Sequence, residues 1–115
     1  MHVIYKICPA SEWREAAGRA GAFAGSAVDR RDGFIHFSTA EQVHETAARH
    51  FAGQADLVLV SVDADRLGDR LRWEPSRGGA LFPHLYGDLP VQAVLWAKPL
   101  PDETDGRRAL PELAL

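Results

Sequence analysis

The sequence predicts an α+β domain with a mostly antiparallel sheet, and three observations lead there. Segments patterned as strands and helices follow in the order β-α-β-α-β-β-β-β, so the later strands come without helices between them. Leu57 to Val62 is an apolar run too short for a helix and flanked by polar residues, as in a strand covered on both faces at the centre of a sheet. The 115 residues, 46% hydrophobic and 25% charged, fit one ordinary globular domain and exclude two.

Each element has its own local reason. Met1 to Ile7 alternates as a short strand that Pro9 stops. Ser11 caps a helix with Glu12 and Glu15 in its first turns and Trp13, Ala16, Ala17 and Ala20 at helical spacing, ending at Gly21. Phe23 to Asp32 holds no period and reads as a loop closing in the Asp32-Gly33 turn. Phe34 to Phe37 is a strand that runs into a second helix, with Ser38 and Glu41 as its capping box, Ala40, Val43, Ala47, Ala48 and Phe51 as its buried stripe and Gly53 as its stop. After the Leu57 to Val62 strand, Leu71 to Glu74 forms another with Leu71 and Trp73 inward, and Pro75 to Gly79 is a turn. Leu81 to Tyr86 is extended, with Pro83 predicting an edge or irregular strand, and Val91 to Lys98 is the last. Trp13, Trp73 and Trp96 are most simply core. Residues 1–101 are expected to form the domain and 102–115, polar and Pro-containing, a mobile tail.

Composition then narrows function. The single Cys8 excludes an intramolecular disulfide and a Cys-rich zinc site. No apolar run approaches the ~20 residues of a membrane span, and Lys6, Pro9, Glu12, Arg14 and Glu15 interrupt any secretory h-region, so the expectation is a cytoplasmic protein with no membrane partner. Thirteen Lys and Arg against sixteen Asp and Glu give a net charge of −3, which disfavours a nucleic-acid partner bound by phosphate neutralisation. Neither substrate nor oligomeric state follows from these numbers.

Several residues could carry chemistry. His44 and His50 sit about 240° apart on a helix, on different faces, so the His-Glu-x-x-His metal motif is absent. Strand alternation places Phe34, His36 and Ser38 on one face, and Phe82, His84 and Tyr86 on another: an aromatic, an imidazole and a phenol able to wall a planar or ribosyl ligand. Ser38 and Thr39 lie at the positive end of the following helix, an anion-binding position. Arg77 beside Gly78 and Gly79 could hold a phosphate that the glycines let approach, although the same residues make an ordinary turn. Glu74 is the carboxylate placed for general-base duty, or for a salt bridge with Arg72. Cys8 has no nearby group that would activate it.

Gly33-Phe34-Ile35-His36-Phe37-Ser38-Thr39-Ala40-Glu41-Gln42, Glu45-Thr46-Ala47, Trp73-Glu74-Pro75-Ser76-Arg77-Gly78-Gly79 and Phe82-Pro83-His84-Leu85-Tyr86-Gly87, preceded by Ile4-Tyr5-Lys6-Ile7, resemble the small bacterial family known as domain of unknown function 952. The match extends to about Pro101. That family in turn resembles in fold the ADP-ribosyltransferase group, which implies a split, mostly antiparallel sheet with two helices around a cleft for the nicotinamide and ribose of NAD. His36-Phe37-Ser38 before a helix is similar to the RNA 2′-phosphotransferase branch, whereas Tyr5-Lys6-Ile7 departs from the first-strand signature of those enzymes. Set in that architecture, the residues singled out above are expected to line a cleft, Tyr5, His36, Ser38, Thr39, Arg77, Gly78, Gly79, Phe82, His84 and Tyr86, for a small nucleotide- or ribosyl-phosphate-like ligand. His36, His84 and Glu74 are the candidate catalytic groups, NAD is a possible substrate, and no metal is expected. The alternatives are a binding module without chemistry and a metal hydrolase built on His36 and His84.

Overall fold

A computed structural model describes residues 2–17, 21–76, 78–104, 108–110 and 113. The described residues form strands β1 (Val3–Pro9), β2 (Ala22–Phe23), β3 (Ile35–His36), β4 (Leu57–Asp63), β5 (Leu71–Ser76), β6 (Ala80–Leu85), β7 (Leu89–Pro90) and β8 (Val94–Leu100). With them are helices α1 (Ala10–Ala17), α2 (Ala27–Asp32) and α3 (Val43–His50). The strands pair antiparallel in three pieces ordered β1-β4-β8, β3-β6-β5 and β2-β7. The α+β class with antiparallel sheets therefore holds, with three helices among the described residues where two were expected. No helix among those residues is long and apolar enough to cross a membrane.

β4 is buried along its whole length, as its apolar run requires, and separates two cores. On one face Val58, Val60 and Val62 join Ile4 and Cys8 of β1 and meet Ile35, Phe37 and Leu85. On the other, Leu57 and Leu59 join Tyr5 and Ile7 and meet Val43 and Ala47 of α3. Two-residue alternation on β1 and β4 supplies both faces.

Four expectations are corrected. The segment read as a loop contains α2, capped by Ser26 and Asp29 in a reciprocal capping box and ended by Gly33 at φ 89°. The helix expected to be capped by Ser38 and Glu41 begins only at Val43, with Gln42 as its cap residue and no side-chain cap bond, and the reciprocal pair lies in the turn before it: the Thr39 amide donates to Gln42 Oε1 at 3.1 Å and the Gln42 amide to Thr39 Oγ1 at 3.2 Å. Ser38 is diverted, because its backbone pairs with Tyr5 in both directions at 2.8 Å and its hydroxyl bonds Thr46. β6 is a central strand in spite of Pro83. The Pro83 carbonyl accepts from the Phe37 amide at 3.0 Å, so its missing N–H faces the chain just past the two-residue β3, where it interrupts no ladder bond. Finally, Trp73 is 45% exposed, lying on the core-side face of β5 but beyond the reach of the core.

The described part of the 102–115 segment touches the body. Arg108 donates to the carbonyls of Phe51 and Gln54, each at 3.0 Å, and pairs with Glu103, while Leu110 and Leu113 pack against the second core.

Candidate functional site

β1 is an edge strand of its sheet, and among the described residues the backbone of its free side carries the isolated Tyr5–Ser38 bridge. A cavity of about 450 Å³ lies along that edge, bounded by α2, by the β3 to α3 junction, by the end of α3 at His50 and Phe51, and by Phe82 and His84 of β6. The three-stranded sheet β3-β6-β5 turns Ile35 and Leu85 into the core and puts His36, Phe82, His84 and Glu74 on its opposite face.

His36 and His84 are direct cross-strand partners, their ring centroids 5.7 Å apart. Phe34 stacks on His84 at 4.2 Å and also contacts His36 and Tyr86. Glu74 Oε1 accepts from His84 Nδ1 at 2.8 Å and from the Tyr86 hydroxyl at 2.7 Å. Hydrogen bonds from Tyr86 and His84 hold the Glu74 carboxyl below its usual range, and donating that bond to Glu74 pushes the Tyr86 phenol up. With Nδ1 committed to Glu74, Nε2 is the nitrogen through which His84 could exchange a proton with a ligand.

His36 is held from the other side. Asp29 Oδ1 accepts from His36 Nδ1 at 2.6 Å and from the His36 amide at 3.1 Å, while Asp32 Oδ2 lies 3.0 Å from His36 Nε2. Asp29 also pairs with Lys6 Nζ at 2.7 Å and accepts from the Ser26 amide at 2.9 Å. Lys6 and Asp29 are both buried, at 4% and 2% exposure, and a buried charge of either sign survives only with a partner. Burial pushes the Asp29 carboxyl up, but hydrogen bonds from His36 and Lys6 outweigh it and hold the group well below the usual carboxylate range. Asp32 is lowered as well, chiefly by its hydrogen bond from Arg31.

Of the residues named from sequence, Tyr5, His36, Ser38, Phe82 and His84 line the cavity. Glu74 and Tyr86 stand behind His84 and orient it without lining the space. Thr39 is not in the wall, and its amide is taken by Gln42. Gly78 and Gly79, at φ 80° and 93°, form the turn between β5 and β6 and are not in the cavity wall, which Ser76 beside them joins, and Arg77 lies outside the described residues. Sequence reasoning missed Lys6, Asp29, Arg31 and Asp32. Lys6 did carry a signal: it shares a strand face with Ile4 and Cys8, where a lysine demands a carboxylate. Asp29 carried another, as the fourth residue of a Ser-x-x-Asp pattern. Among the described residues no three His, Cys, Asp or Glu side chains are grouped as a metal ion would need.

The fold and site together define a small α+β protein with an edge-strand cavity walled by two histidines, each tied to a carboxylate. Residues 7–97 match the family described as protein of unknown function DUF952, and the chain belongs to that family. It is similar to protein CC0527 from Caulobacter crescentus, whose crystal structure shares 52% identity over 93% of both chains with a TM-score of 0.87. The solution structure of CC0527 gives 54% identity and a TM-score of 0.80 over 92% of this chain and 90% of that one. No curated protein matches.

Proposed function

We propose that the cavity binds a small nucleotide- or ribosyl-phosphate-like ligand and that His84 and His36 act on it as acid and base, in an ADP-ribosyl- or phosphoryl-transfer type of reaction. The observation that carries this reading is the meeting of the two imidazoles at one cavity, each with Nδ1 held by a carboxylate. A carboxylate on Nδ1 fixes the tautomer and the ring's orientation, which leaves the opposite nitrogen as the one able to take a proton. Phe82 and Phe51 offer apolar faces for a ring, while Ser26, Ser76 and Glu12 bring polar groups suited to hydroxyls. The resemblance to the ADP-ribosyltransferase group places NAD and ADP-ribose among the compounds to try, since folds suggest and sites decide.

One observation favours a binding module without chemistry: both nitrogens of His36 are engaged by carboxylates, so its Nε2 can exchange a proton with a ligand only once Asp32 has moved. Titration with NAD, ADP-ribose and ribose 5-phosphate, followed through the histidine ring signals by NMR, tests the main reading. Saturable shifts at His84 and His36 in wild type, with the His36 shifts lost in His84→Asn while its amide spectrum is otherwise unchanged, are the expected result. Turnover of a bound compound marks an enzyme and its absence a module, and no response to any of the three removes the proposal.

A further inference from the structure

The structure assigns an oxyanion subsite to Arg31 and His36, currently filled by the protein's own Asp32 carboxylate as a stand-in for an oxyanion on the ligand. The inference rests on the ligand-binding reading above and says which group of the ligand goes where. His36 Nε2 lies 3.0 Å from Asp32 Oδ2, and Arg31 Nε donates to Asp32 Oδ1 at 3.0 Å with a weaker second contact from its terminal nitrogen to Oδ2 at 3.5 Å. Two nitrogen groups thus converge on a single carboxylate. Since Nδ1–H is given to Asp29, Nε2 donates as part of an imidazolium, and a guanidinium and an imidazolium so arranged donate equally to a phosphate or carboxylate oxygen pair of the same spacing.

Asp32 has little structural reason to be there. Asp29, not Asp32, supplies the α2 cap and the buried partner of Lys6. The Asp32 side chain is 31% exposed at the last position of α2, and Arg31 and His36 are its hydrogen-bonding partners among the described residues. It can leave by rotation into water, where its charge is solvated without a burial penalty. Asp29 meanwhile keeps Nδ1 and the backbone amide of His36, so the ring stays aimed while Nε2 is vacated. All three residues line the cavity. With Asp29 shared between Lys6 and His36 Nδ1, departure of Asp32 leaves the Arg31 guanidinium and His36 Nε2 facing the space without the carboxylate that now bridges them, a setting that favours an anion.

The test uses inorganic phosphate and acetate as probes, titrated into the full chain and followed through the His36 ring signals, in wild type, Asp32→Asn, Arg31→Gln and the double variant. Asp32→Asn keeps the shape and removes the competing charge. It should bind the probe about fivefold or more tightly than wild type, the effect of deleting one unit charge about 4 Å away in water. Arg31→Gln should weaken binding in both backgrounds. A gain confined to phosphate identifies a phosphoryl oxyanion and a gain confined to acetate a carboxylate, and both support the subsite. Equal or weaker probe binding in a folded Asp32→Asn overturns it. If ADP-ribose still shifts His84 in that case, the subsite alone has failed. If phosphate affinity rises but no nucleotide shifts His84, the nucleotide reading alone has failed.

Discussion

Replacing Asp29 by Asn should be among the most damaging single changes in this molecule. The substitution leaves an acceptor oxygen for the Ser26 amide, so the α2 cap is largely kept. What it removes is the negative charge facing Lys6 Nζ at 2.7 Å, where both side chains are at most 5% exposed. Breaking a buried ion pair from one side costs about 3–5 kcal/mol, because the surviving charge stays desolvated. For a chain of this size about 1 kcal/mol corresponds to roughly 3–5 °C in Tm, so a drop of about 10–20 °C is expected. The pH dependence has a definite sign. Asp29 titrates lower in the folded protein than its ordinary value of 3.8, so its contribution is complete above about pH 5 and is lost as the pH falls toward the folded value. The gap between wild type and variant should therefore be widest near neutrality and shrink below pH 4. Adding Lys6→Met removes the stranded charge and should restore part of the loss. Calorimetric melts from pH 3 to 7 decide the matter. A drop of less than about 3 °C, a gap independent of pH, or a double variant no better than Asp29→Asn would refute the reasoning.

Glu74→Gln should let the Tyr86 phenol ionise at lower pH than in wild type, since the bond that raises it is weakened, and ultraviolet absorbance titration would show the shift. Burial pushes the Cys8 thiol up to about 12, so a thiol reagent at pH 8 should label it only as fast as the protein unfolds, and rapid native labelling would contradict its burial. Truncation after Pro101 removes the Arg108 bonds to Phe51 and Gln54 and the packing of Leu110 and Leu113, and should cost about 2 kcal/mol, read as a Tm lower by several degrees. Gly25→Ala should destabilise, because a Cβ there would stand 2.8 Å from Asp29 Cβ on backbone at φ 105°, and denaturant melts would measure the loss.

Much of the site's sheet was legible because alternation is a local rule. The pattern Phe34, His36 and the pattern Phe82, His84, Tyr86 each fix a face from adjacent residues, and register then joins His36 to His84. The long buried β4 was legible for the same reason. α2 was not, since its six residues hold no apolar stripe, and what stabilises it is a cap and a carboxylate whose partner Lys6 is 23 positions away. Pairings at that distance leave no periodic trace. The helix start was placed too early because Ser38, a good cap by composition, is claimed first by Tyr5 and Thr46, and the chain makes one turn through Thr39 and Gln42 before α3 begins at Val43. Trp73 shows the limit of alternation from the other side: the rule names a face but not how far the core beneath it extends.

The four residues from Ile35 to Ser38 belong to two sheets at once. Ile35 and His36 are registered to β6, Phe37 still gives its amide to Pro83, and Ser38 has already turned to Tyr5 of β1. This makes the segment the spine of an open book whose covers are the two three-stranded sheets, with the cavity as the gap between the pages. Any widening of that gap has to be taken up between Phe37 and Ser38, where one set of hydrogen bonds ends and the next begins. Opening of the gap is thereby concentrated in two amides, and their exchange rates report how readily the two sheets part.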